Sequence, residues 1–224
     1  MQSWISEIGP DLLALGASVL LIGAFYGLLW SRTRQDPHYT IHGVNATART
    51  LWVNDVMANR GKDVMAVQTL RNYLMAATFM ASTSAILILG TLTLSGQAES
   101  LSQTWHVLNI GGSSAPQAWM IKVMCLLTIF IVAFFAFAMT IRLLNHVVFM
   151  INVPNAESHP GLAPRQVAHR LMRAGHYYSV GMRAFFLSVP LVFWLFGPIY
   201  LFAATLGLVF ALHHLERSPR VEKD

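Results

Sequence analysis

Runs of uncharged residues divide the chain. Twenty residues without Asp, Glu, Lys or Arg separate Asp11 from Arg32, 27 separate Arg71 from Glu99, 19 separate Lys122 from Arg142 and 32 separate Arg183 from Glu216. About 20 apolar residues carry a helix across the hydrocarbon core of a bilayer. Four hydrophobic segments are therefore expected, at about 11–31, 72–96, 119–142 and 185–213. The stretch from Ser100 to Ile121 is also uncharged, but Gly111, Gly112, Ser113, Ser114 and Pro116 mark it as a loop. The first segment is too long for the core of a cleavable signal, nothing basic precedes it, and Ser31-Arg32-Thr33-Arg34 ends it like an anchor.

Composition supports the pattern. Hydrophobic residues make up 55% of the 224 and charged residues only 11%, with a mean hydropathy of +0.52. Soluble domains carry about twice that charge. The fold class expected is an all-α integral membrane protein, with residues 1–224 forming one membrane domain. Disorder and a nucleic-acid-binding role are disfavoured in spite of the net charge of +5. Cys125 stands alone, so neither an intramolecular disulfide nor a cysteine-based metal or haem motif can form.

Lys and Arg set the expected orientation. Residues 32–71 carry six of them and the 142–184 connection carries Arg142, Arg165, Arg170, Arg173 and Arg183, whereas the N-terminal tail and residues 97–118 carry none. The basic connections are thus expected in the cytoplasm of a bacterial cell, with the N-terminus outside the inner membrane. A single fourth span would leave Arg217, Arg220 and Lys223 outside, against the rule. Pro190 and Gly197-Pro198 interrupt that segment and leave two readings: one kinked span with an external tail, the preferred one, or a hairpin turning at Gly197-Pro198.

The connections have structure of their own. Thr47 to Asn59 reads as a short amphipathic helix ending near Arg60-Gly61, and the second and third segments continue as helices beyond the bilayer, the third as far as Pro154. Pro164 and residues 166–173 suggest another amphipathic piece. Together these would make a small cytoplasmic helical cap. Gly23 and Gly27 in the first segment, and Ala77, Ala81 and Ala85 in the second, have the spacing of close helix contacts, within one subunit or between subunits. Assembly with copies of itself is expected, alongside the lipid bilayer as partner and a larger membrane complex as another.

Candidate chemistry gathers where the segments leave the cytoplasmic side. Gln68, Arg71 and Asn72 open the second helix, Arg142 and Asn145 share a face of the third, Arg183 opens the fourth, and Arg49 in the amphipathic helix could join them. Guanidinium and amide groups at this depth suit a small anion or a lipid head group, and also suit ordinary anchoring to lipid phosphates. The Gly197-Pro198 break would line a pathway. Asp55 and Asp63, isolated among many Arg, read as ion-pair partners rather than an acid/base couple. His213 and His214 are adjacent and diverge on a helix. No enzyme activity, cofactor or metal is expected. The functional expectation is an oligomeric channel or carrier for a small anion or polar solute; the alternative is a non-catalytic accessory subunit.

The run Ala48-Arg-Thr-Leu-Trp-Val-Asn, the stretch Lys62-Asp-Val-Met-Ala-Val-Gln-Thr-Leu-Arg-Asn72, Ala81-Ser-Thr-Ser, Thr140-Ile-Arg-Leu-Leu-Asn145, Gly181-Met-Arg-Ala-Phe185 and Trp194-Leu-Phe-Gly-Pro198 resemble domain-of-unknown-function family 599. That family comprises multi-spanning membrane proteins of bacteria and plants. The resemblance runs from about residue 20 to 215 and implies a four-span topology. It supplies no activity or substrate, but its motifs include Gln68, Arg71, Asn72, Arg142, Asn145 and Arg183.

Overall fold

The computed structural model describes residues 2–36, 39–97, 111–113, 115–154 and 158–216, with side chains from residue 8 onward apart from that of residue 60. Six α-helices account for nearly all of them: α1 (Gln2–Gln35), α2 (Ile41–Ala58), α3 (Asp63–Gly96), α4 (Pro116–Met150), α5 (Pro164–Trp194) and α6 (Pro198–Glu216). No strand occurs among the described residues. Residues 98–110 of the expected external loop and the tail arginines lie outside the described residues.

Local chemistry explains the boundaries. α4, α5 and α6 each begin at a proline, whose fixed φ suits a first helical turn and whose missing N–H costs nothing there. α2 begins earlier than Thr47, because Thr40 caps it: its hydroxyl accepts the Gly43 N–H at 3.3 Å. A single 3-10 turn, Arg60–Lys62, joins α2 to α3.

Four helices are long and apolar enough to cross a membrane: α1 from Ile8, α3, α4 and α6. The first three contain the segments expected at 11–31, 72–96 and 119–142. The fourth expectation requires correction. Segment 185–213 is divided between α5 and α6, and the amphipathic piece at 166–173 is the first part of α5 rather than a separate helix. The chain reverses at Leu195–Gly197. Gly197 has φ 139°, a conformation that disfavours any residue with a Cβ. Arg183, before the turn, bonds to Glu216, after it; that contact requires α5 and α6 to run antiparallel. The hairpin reading therefore replaces the kinked span, while Pro190 is accommodated within α5.

α4 packs between α3 and α5, α6 packs on α5 and α1, and α2 lies along the first part of α5. The largest core joins α2, α3, α4 and α5 at one end through Val53, Val56, Leu70, Leu144, Val147 and Leu171. Towards the middle, Ala81, Ala133, Phe137 and Ala184 meet. Trp119, Val123 and Leu195 close the opposite end. Small residues line these contacts and let backbones approach; at one of them the Thr140 hydroxyl, 3.0 Å from the Ala136 carbonyl of its own helix, also lies 3.3 Å from the Ala174 carbonyl of α5 and shares its hydrogen between them. Ala77 and Ala81 are buried in such contacts, whereas Gly16, Gly23 and Gly27 of α1 face open space.

Candidate functional site

Helical phase decides where the expected polar belt goes. On α3, Ala66, Leu70 and Ala77 turn into the core, which puts Gln68, Arg71 and Asn72 on the outer face, all exposed. On α4, Leu143, Leu144 and Val147 are buried, and Arg142 and Asn145 are exposed. Leu70 and Leu144 share one core, so these two polar groups flank the bundle at one level. None of the five side chains is bonded to another described residue. Within one chain they do not enclose a chamber with Arg49 and Arg183.

Those two arginines behave differently. Arg183 forms a fork on Glu216, its Nε and Nη2 each 3.1 Å from a carboxylate oxygen. Its guanidinium lies 5.1 Å from the Tyr26 ring of α1. The neighbouring Ala184 packs with Ala133 and Phe137, so this pair lies more than a turn nearer the bundle middle than Arg142. Arg49 crosses from α2 to α5, where its guanidinium rests against Gly175; a methyl group there would collide with it. The Tyr73 ring lies 6.0 Å away, and no carboxylate among the described residues pairs with Arg49.

His42 bridges the two. Its Nδ1 is 3.3 Å from the Ser179 hydroxyl, and its ring stands 6.3 Å from that of His176. Burial, then the positive charges of Arg183 and Arg49 and the neighbouring His176, hold its imidazole below the usual histidine range. The folded protein thus binds fewer protons at this position than the unfolded chain between the lowered pKa and the ordinary value near 6.5. Stability rises with pH through that window and falls on acidification. The protection factors of amides along residues 41–49, that is, exchange rates corrected for their intrinsic pH dependence, are expected to fall as the pH drops below about 6.5, and His42→Gln is expected to flatten the change. An unaltered pH response in the variant would assign it elsewhere.

A second polar cluster escaped the sequence reading. At the end opposite α2, Asp11 (1% exposed) and Lys122 (3% exposed) form a buried ion pair at 2.9 Å. Trp194 Nε1 donates to Asp11 Oδ1 at 2.8 Å and the Ser113 N–H donates to Oδ2 at 2.9 Å. The Lys122 ammonium also lies 5.6 Å from the Trp194 ring. This cluster joins α1, α4 and the end of α5. Asp11 and Lys122 had served only to bound hydrophobic runs, yet both stand near the same end of two helices with opposite sign, which was the available signal. Asp55, by contrast, pairs with Lys62 as its surroundings suggested.

No curated protein and no solved structure is significantly similar to the chain. A family model, described as "Protein of unknown function, DUF599", matches residues 13–221. With nearly the whole chain covered, including the α3 helix that carries Gln68, Arg71 and Asn72, the protein belongs to the DUF599 family.

Proposed function

We propose that the protein is an oligomeric channel or carrier for a small anion or polar solute in the bacterial inner membrane. Its cytoplasmic mouth is a rim of Gln68, Arg71, Asn72, Arg142 and Asn145 contributed by each copy. The observation that carries this reading is that two guanidinium and three amide groups stand at one level of the bundle with no bonded partner among the described residues. Guanidinium groups bind anions through short, charge-assisted hydrogen bonds. A path through a single chain would have to part Arg183 from Glu216 and Asp11 from Lys122; a path between copies would not. The reversal at Gly197 supports the orientation. It returns the chain towards the α2 end, where the described part of α6 closes at Glu216, the end at which the positive-inside rule favours basic sequence such as Arg32 and Arg34.

The test is efflux of chloride and of phosphate from liposomes holding the purified protein. Arg71→Ala and Arg142→Ala are each expected to slow efflux by roughly tenfold, the effect of about one lost charge-assisted contact. Equal efflux from the parent and both variants would remove the rim from any path. A second reading, an accessory subunit of a larger complex, is favoured by an apolar groove of about 700 Å3 along α4 and α5, lined by Met120, Ile121, Met124, Cys125, Ile129 and Leu191. Native electrophoresis of solubilised membranes separates the two: one chain type at a multiple of its own mass supports the oligomer, and a constant second chain supports the complex.

A further inference from the structure

The cleft between α2, α3 and α5 is distinct from the outer rim and does not depend on solute movement. It measures about 460 Å3. Asn45, Arg49 and Thr69 supply its polar side, and Trp52, Leu70, Tyr73 and Leu171 its apolar walls. A bare inorganic anion would leave most of that wall uncovered. A molecule with an anionic head and a hydrocarbon body would fill both parts.

Two observations fix the head-group end. The Arg49 guanidinium has no carboxylate partner among the described residues, and it is seated by Gly175 and the Tyr73 ring, so its fork is held rather than free to swing. Asn45 stands four residues before Arg49 on α2, so its amide shares the face of the guanidinium and lines the same cleft. A third observation fixes the tail direction. Beside the cleft, the exposed surface of α3 mixes Val64 and Val67 with Gln68, Arg71 and Asn72, and beyond Asn72 it carries no charge as far as Gly96, with Met75 and Phe79 58% and 73% exposed. That end of charge is where head groups give way to acyl chains, and Trp52 and Tyr73 are residues favoured at that level.

We infer that this cleft is a binding site for an anionic phospholipid, with the phosphate on Arg49 and Asn45 and the acyl chains running along α3. The guanidinium provides two parallel N–H donors to phosphate oxygens. The aromatic and leucine walls exclude water from the glycerol end.

Native mass spectrometry of the full chain in neutral detergent tests this, with phosphatidylglycerol, phosphatidylcholine and inorganic phosphate as probes. Retention of phosphatidylglycerol is expected to fall about tenfold in Arg49→Ala. A smaller fall is expected in Arg49→Lys, which keeps the charge and loses the fork. Gly175→Ala, which keeps Arg49 but displaces it, is expected to weaken retention too, and Arg173→Ala, an exposed arginine elsewhere on α5, is expected to leave it unchanged. Thermal melting of each variant without lipid shows whether it is folded; should Arg49→Ala fail to fold, Arg49→Lys carries the comparison. Equal retention by the parent and the folded Arg49 variants would overturn the assignment. So would equal retention of phosphatidylcholine, or full competition by inorganic phosphate, which would make the ligand a soluble anion.

Discussion

Asp11→Ala is expected to destabilise the fold by about 3–5 kcal/mol, the range for removing one partner of a buried ion pair. The cost does not come chiefly from the lost attraction. It comes from the Lys122 ammonium, 3% exposed, which would be left with the Trp194 ring at 5.6 Å and no carboxylate. Trp194 Nε1 and the Ser113 N–H would lose their acceptor in the same change. Lys122→Met should be milder, since Asp11 keeps both of those donors. The double variant Asp11→Leu/Lys122→Met should recover part of the loss, because no buried charge is left uncompensated, while Trp194 Nε1 and the Ser113 N–H still lack the Asp11 acceptor. Equilibrium unfolding in mixed detergent gives the four corners of the cycle, and a coupling near zero would show that the pair does not hold α1 in place.

Gly181→Ala has the next largest expected effect, a loss of about 1–3 kcal/mol from overpacking. A Cβ at this position would lie 2.7 Å from two atoms of the Phe137 ring. That ring is fully buried, and it stands 5.6 Å from the Tyr178 ring and 5.8 Å from that of Phe185, so it has nowhere to move. Shrinking the obstacle with Phe137→Leu is expected to restore part of the loss, although that change alone destabilises. Gly207→Ala on α6 provides the contrast: nothing lies within 4 Å of its added methyl, and alanine is the better helix former. The same unfolding assay should rank Gly207→Ala at or above the parent and Gly181→Ala well below it. The reverse order would show that α4 and α5 do not meet at this glycine as described.

The expected helices and the observed ones agree where charge interrupts hydrophobicity. Arg32, Arg71 and Arg142 punctuate the first three segments, and the corresponding helices extend past each of them. The fourth segment is bounded by Arg183 in the same way but carries no charge at the point where it reverses. The reversing residues Leu195 and Phe196 are as apolar as the helices they join, so only Gly197-Pro198 signals the turn, and a kink and a reversal read alike from that pair. The belt was legible in part, for a different reason. Gln68, Arg71, Asn72, Arg142 and Asn145 do occupy one level, which sequence position reveals. Facing inward or outward depends on a rotation of about 100° per residue, and it follows from the burial of Leu70 and Leu144. Partners distant in sequence leave little trace: nothing near Arg183 announces Glu216, and Asp11 and Lys122 offer only opposite charge at the same end of two helices.

Packing α1 against α6 joins two helices that lie more than 150 residues apart in the sequence. The Asp11 carboxylate of α1 likewise waits for an ammonium and an indole encoded more than a hundred residues downstream. During synthesis α1 is therefore expected to wait without these partners and to dock only after α6 has been made. Truncations ahead of Trp194 should leave α1 inserted but unanchored, and open to membrane proteases.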